Sequence, residues 1–88
     1  MKKLMAWTIF QTIVYTHIKD YAVKQYGDDG DDPVTDYSAD DCVRNMKKYI
    51  ARHGKNARPD QDKLDLIKIA HYAQMAHDKL ESNDAHEN

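Results

Sequence analysis

The sequence contains a single cysteine, Cys42, in 88 residues. One cysteine can form neither an intrachain disulfide nor a cysteine-based metal cluster. Apolar or aromatic residues follow it at the spacing of one helix face, namely Met46, Tyr49 and Ile50. This spacing predicts a buried structural thiol, in keeping with a cytosolic compartment.

The chain also lacks an unbroken apolar stretch of about 18 residues, which excludes a transmembrane helix. Its start, from Lys2 to Phe10, imitates a signal peptide, but polar residues interrupt the run and no small-residue cleavage site follows. We therefore expect a cytoplasmic protein that has no membrane partner. A chain of this length forms one domain, residues 1–88, and its small core favours self-association.

Glycine and proline are scarce, and they separate three predicted helices. Over about residues 4–26, apolar residues at steps of three and four predict an amphipathic first helix that stops at Gly27. Its stripe consists of Trp7, Phe10, Val14, Ile18 and Tyr21, widened by Ile13 and Tyr26. A second helix is expected over about 38–53, because Ser38 and Asp41 have the spacing of a capping box.

A third helix is expected over about 60–80, after the turn that contains Gly54 and Pro59. Its apolar residues cover more than half of its circumference, which indicates a central position in a bundle or an oligomer interface. Residues 81–88 are polar and are expected to fray. The sequence therefore predicts an all-α three-helix bundle that oligomerises.

Two neighbouring segments each carry charge of only one sign, the first acidic and the second basic. Between Lys24 and Arg44 there are seven Asp and no Lys or Arg, whereas Cys42 to Pro59 holds six basic residues and no acidic one. The acidic loop, residues 27–37, offers oxygen ligands of the kind that Ca²⁺ and Mg²⁺ take. It lacks the EF-hand spacing, however, so we expect a solvated loop.

The basic residues of the second helix are the first indication of function. Arg44, Lys48 and Arg52 are four residues apart and therefore form a column on one face, where like charges repel. Such a column, extended by Lys55, suits a ligand that carries phosphate. The alternative is that the column pairs with the protein's own acidic segment at 28–41. Long nucleic acid is disfavoured because that acidic segment repels its backbone.

Aromatic and acidic residues accompany the basic column. Tyr49 lies between two of its cations, and Tyr72 of the third helix is expected to face Tyr49, so that either ring could stack on a base. Asp65 shares its part of the third helix with Lys68, and it is expected to hold a basic residue of the second helix in place.

Catalytic and metal-binding motifs are absent from the sequence. It has no His-Glu-x-x-His, nucleophile elbow or phosphate-cradling glycine loop. A Mg²⁺-dependent nucleotide hydrolase would need carboxylates on facing helices. The chain offers no Glu-x-x-Glu for this, only Asp60, Asp62 and Asp65 with Asp40 and Asp41 opposite. We expect no cofactor and no metal, and retain the hydrolase as an alternative.

Two linked motifs resemble a known family. They read Asn45-x-x-Lys48-Tyr49-Ile50-x-Arg52-x-Gly54-Lys55 and Asp65-Leu66-x-Lys68-x-x-His71-Tyr72. Over about residues 42–76 the pattern resembles a small bacteriophage-encoded domain of uncharacterised function, found alone or attached to phage proteins labelled nucleotide kinase. His71 stands where that family often has Trp. Since no Walker-type loop is present, the resemblance implies phage origin and nucleotide-related work rather than kinase chemistry.

The leading hypothesis is a non-enzymatic, oligomeric phage protein that binds a nucleotide-like ligand in the host cytoplasm. The predicted ligand-binding residues are Arg44, Lys48, Tyr49, Arg52, Lys55, Asp65, Lys68 and Tyr72. The alternative is a module that binds and modulates a host protein through the acidic loop and the first helix.

Overall fold

All secondary structure in the described part of the chain is helical. The computed structural model describes residues 2–28, 30 and 33–87, without side chains from 83 onward, and these ranges contain no strand. The predicted all-α class is therefore confirmed. Three aspartates of the predicted acidic loop, Asp29, Asp31 and Asp32, lie outside the described residues.

The chain divides into two compact units between Asp32 and Pro33. The first unit is one helical run that consists of α1 (Lys2–Ile18), a π-helical segment (Lys19–Val23) and α2 (Lys24–Tyr26). Gly27 then adopts a φ of 83°, a left-handed conformation that suits glycine. The predicted stop at Gly27 is confirmed, whereas the π-helical segment was not expected from the sequence.

Apolar side chains surround α1 and are not confined to one stripe. Four exposed hydrophobic residues lie outside the predicted stripe, namely Leu4, Met5, Ile9 and Tyr15. The expectation of an amphipathic first helix is therefore wrong for α1, because apolar residues occupy every side of it. No described helix combines the length and the apolar character that crossing a membrane requires.

The second unit is a helical hairpin in which α3 (Ala39–Ala51) packs against α4 (Gln61–Glu87). The predicted capping box begins α3. The Asp41 backbone N–H donates to Ser38 Oγ at 3.1 Å, and the Ser38 N–H donates to Asp41 Oδ2 at 2.9 Å. These reciprocal bonds satisfy two donors that the first turn of a helix would otherwise leave unpaired.

Two predicted helix ends differ from the structure. α3 ends at Ala51 rather than near residue 53, because the chain leaves the helix at Arg52 and turns through Gly54, which has a φ of 79°. α4 continues to Glu87 rather than ending at Leu80. No glycine or proline follows Pro59, so the sequence has no strong helix breaker in its last third.

The core of the hairpin is small and lies where α3 and α4 pack against each other. Its buried apolar residues are Ala39, Cys42 and Ala76, and Tyr37, Tyr72 and Met75 pack around them. Cys42 is fully buried, as predicted, and burial raises the pKa of its thiol. It therefore behaves as a small hydrophobic residue and not as a reactive thiolate.

Candidate functional site

A partly buried ion pair joins the C-terminal end of α3 to the first turns of α4. Arg52 donates through Nε to Asp65 Oδ2 at 2.7 Å and through Nη2 to Asp65 Oδ1 at 2.5 Å. Asp65 is only 2% exposed. The hydrogen bonds from Arg52 hold the pKa of the Asp65 carboxyl well below its usual range, despite the opposing effect of burial. The expected contact between Asp65 and a basic residue of the second predicted helix is thus present.

Amide and carboxylate side chains complete this network across the interhelical turn. Gln61 donates to Asp65 Oδ1 at 2.8 Å, and Asn56 donates to Asp65 Oδ2 at 3.2 Å. Asn56 also donates to Asp62 Oδ1 at 2.6 Å, and the Gly54 backbone N–H donates to the same carboxylate. Asp65 therefore accepts four hydrogen bonds, enough to compensate for its removal from water.

The Tyr49 ring collects three cations from two helices. The Lys48 Nζ lies 5.0 Å from the ring centroid, the Arg52 Cζ 4.9 Å and the Lys68 Nζ 5.4 Å. All three distances are within the range of cation–π attraction. Arg52 is neutralised by Asp65, but no ion pair between described side chains involves Lys48 or Lys68.

Tyr72 packs beside Tyr49, as the sequence predicts. The two ring centroids are 6.0 Å apart and the planes are inclined by 32°. Tyr72 also belongs to the hairpin core, and burial raises its pKa to about 12. The tyrosine pair thus connects the charged cluster to the packed interior.

Two of the predicted ligand-binding residues lie apart from this cluster. The Arg44 Nη1 pairs with Asp41 Oδ1 at 2.9 Å, at the N-terminal end of α3. Lys55 is exposed in the turn, where its backbone N–H donates to the Arg52 carbonyl. The Arg44–Asp41 pair agrees with the alternative in which part of the basic column is neutralised by the acidic segment at 28–41.

The sequence interpretation missed the polar residues that secure the turn. Neither Asn56, in the turn that contains Gly54 and Pro59, nor Gln61 is among the predicted ligand-binding residues. For Gln61 the sequence held one indication of this role. Gln61 and Asp62 lie four and three residues before Asp65 and therefore share its side of α4. The role of Asn56 had no such indication, because its bonds to Asp62 and Asp65 depend on the path of the turn.

Two of the five carboxylates considered for a Mg²⁺ site, Asp62 and Asp65, are engaged in these internal bonds. Both oxygens of Asp65 accept two hydrogen bonds each, and Asp62 accepts from Gly54 and Asn56. Their geometry therefore gives no support to the hydrolase alternative. A separate group of potential metal ligands, His77, Asp78 and Glu81, lies exposed on α4. All three project from one helix into solvent, and we assign no site to them.

The ion pair predicts how stability depends on pH. Because the folded pKa of Asp65 lies below its unfolded value of about 4, its contribution is complete above that value and declines as pH falls. We expect the wild type to lose its stability advantage over Asp65→Asn progressively below about pH 4. Urea unfolding of both proteins from pH 7 to pH 2.5 measures this, and a constant difference over that range would contradict it.

No family model, no curated protein and no solved structure matches the chain.

Proposed function

We propose that this protein binds, without catalysis, a small ligand that carries a phosphate group. The observation that carries the proposal is the convergence of Lys48 and Lys68 on Tyr49 without a neutralising carboxylate among the described side chains. Two ammonium groups around one ring repel each other. A phosphate dianion relieves this repulsion and offers several acceptor oxygens to the two ammonium groups.

The remaining residues of the cluster position these cations. The Tyr49 ring attracts both ammonium groups, and the Arg52–Asp65 pair holds a guanidinium against the same ring. Asp65 engages Nε and Nη2 of Arg52, which leaves Nη1 outside the ion pair. We assign Lys48 and Lys68 to ligand contact, and Arg52 and Asp65 chiefly to positioning.

Several finer features also belong to this proposal. Direct contacts from Arg44 and Lys55 remain predictions, as do phage origin, a host cytoplasmic location, the three-helix bundle and the homo-oligomer.

Only three apolar residues are buried among those described. Such a small core supports an oligomer, because a domain of this size gains stability when association covers more apolar surface.

Calorimetric titration with ADP tests the proposal. We expect the double variant Lys48→Gln/Lys68→Gln to bind ADP at least about tenfold more weakly than the wild type, since a tenfold loss corresponds to about 1.4 kcal/mol and each variant removes a charged contact.

The matched control is Lys47→Gln/Lys63→Gln, which removes one exposed lysine from each of the same helices and changes the net charge equally. Its affinity should stay within about threefold of the wild type. If both double variants lose the same ADP affinity, the loss comes from the change in net charge and the proposal fails. The proposal also fails if wild-type protein does not bind ADP.

A second candidate function is the binding of a host protein. It is favoured by an apolar cleft of about 290 Å³ between α3 and α4, on which Ile50 and Leu66 are largely exposed. Exposed apolar surface of this kind occurs at protein interfaces. If this candidate is correct, the lysine variants leave the partner bound while substitutions in the cleft release it.

A further inference from the structure

We infer that the site recognises the phosphate group alone and takes nucleoside phosphates irrespective of their base. This inference rests on the proposed function, and it specifies the class of ligand. It follows from how the aromatic and hydrogen-bonding groups of the cluster are already used.

Cations and a neighbouring ring surround Tyr49, which also lines the cleft between α3 and α4. An aromatic ring has two faces, and base stacking needs one of them uncovered. Three cationic groups lie within 5.4 Å of the Tyr49 centroid, and the Tyr72 ring lies 6.0 Å away. The ring therefore serves as a support for cations.

Tyr72 is no better placed to stack. It packs against the buried cluster of Ala39, Cys42 and Ala76 as well as beside Tyr49. These contacts engage part of the ring and hold it in the hairpin core. In this inference both rings have a structural role, in place of the base stacking predicted from the sequence.

The polar groups that could read the edge of a base are engaged as well. Specific base recognition needs paired donors and acceptors, such as amide or carboxylate side chains. Next to the cluster these are Asn56, Gln61, Asp62 and Asp65, and each is hydrogen-bonded within the turn network. The lysine ammonium groups, by contrast, are compact charges that bind phosphate without directional selection.

Calorimetry with four probes tests the inference: ADP, UDP, inorganic pyrophosphate and adenosine. We expect ADP and UDP to bind with affinities within about threefold of each other, pyrophosphate to bind, and adenosine not to bind; threefold is less than about 1 kcal/mol. Binding of adenosine, or ADP binding more than tenfold tighter than both UDP and pyrophosphate, would overturn the inference and leave the proposed function intact. If none of the phosphate compounds binds, both fail.

The variant Tyr49→Leu separates the two roles of the ring. If the ring supports cations, the substitution weakens ADP and pyrophosphate by the same factor. If the ring stacks on a base, it weakens ADP alone and the inference is wrong. The matched control is Tyr15→Leu, which removes an exposed tyrosine of α1 that lies outside the cluster and should bind both probes like the wild type. The four-probe comparison on the wild type decides the question even if Tyr49→Leu does not fold.

Discussion

Replacing Asp65 by Asn is expected to lower the free energy of unfolding at pH 7 by about 2–4 kcal/mol. The carboxylate is 2% exposed and accepts four hydrogen bonds. An asparagine retains one acceptor oxygen, and its amide group faces donors from Arg52 and a neighbouring amide. We place the loss below that of a fully buried pair, because the Arg52 side chain is 39% exposed and water compensates for part of it.

Urea unfolding followed by circular dichroism measures this loss, and Asp60→Asn is the matched control. Asp60 lies just before α4 and is exposed. Its substitution should change stability by no more than about 0.5 kcal/mol, as is usual for surface positions. Equal stability of the two variants would show that the ion pair contributes little to the hairpin.

Replacing Ala76 by Leu is the second substitution with a large expected effect, about 1–3 kcal/mol of destabilisation. Ala76 is 6% exposed and packs with Ala39 and Cys42 where α3 and α4 approach each other. The added isopropyl group has no space there unless the helices separate. Separation would also disturb Tyr72, so the same variant should weaken ligand binding.

Thermal and urea unfolding of Ala76→Leu, compared with Ala73→Leu, provide the measurement. Ala73 lies one turn earlier on α4 and is exposed, so leucine is accommodated there without a clash. The control should keep wild-type stability to within about 0.5 kcal/mol. A stable Ala76→Leu variant would mean that the interface between the helices can expand.

Local interactions made parts of this fold predictable. The capping box of Ser38 and Asp41 involves residues three apart, and the stop at Gly27 depends on the conformation of one residue. Such features are encoded within a single turn of chain. A contact between Asp65 and some basic residue of the second predicted helix was also expected, because an acidic residue on a neighbouring helix is the natural partner of an unpaired cation, and the structure identifies that residue as Arg52.

Other features had no local cause in the sequence. The π-helical segment depends on a hydrogen-bond register that the residues Lys19–Val23 do not reveal. The extension of α4 past Leu80 was missed because the apolar pattern ends there, although helical backbone needs only the absence of a breaker. The bonds of Asn56 depend on the turn between the helices, whose path is fixed by contacts six to nine residues apart.

The π-helical segment has a consequence for the first unit. Each turn of π-helix holds about one residue more than an α-turn, and one α-helical residue corresponds to a rotation of about 100°. Side chains after Val23 are therefore out of phase with those before Lys19. Tyr26 does not continue the angular position that an uninterrupted α-helix would give it. A partner that contacts one row of side chains along α1 therefore cannot follow the same row past Lys19. The residues of α2 that would continue this row in an uninterrupted α-helix are rotated away from it.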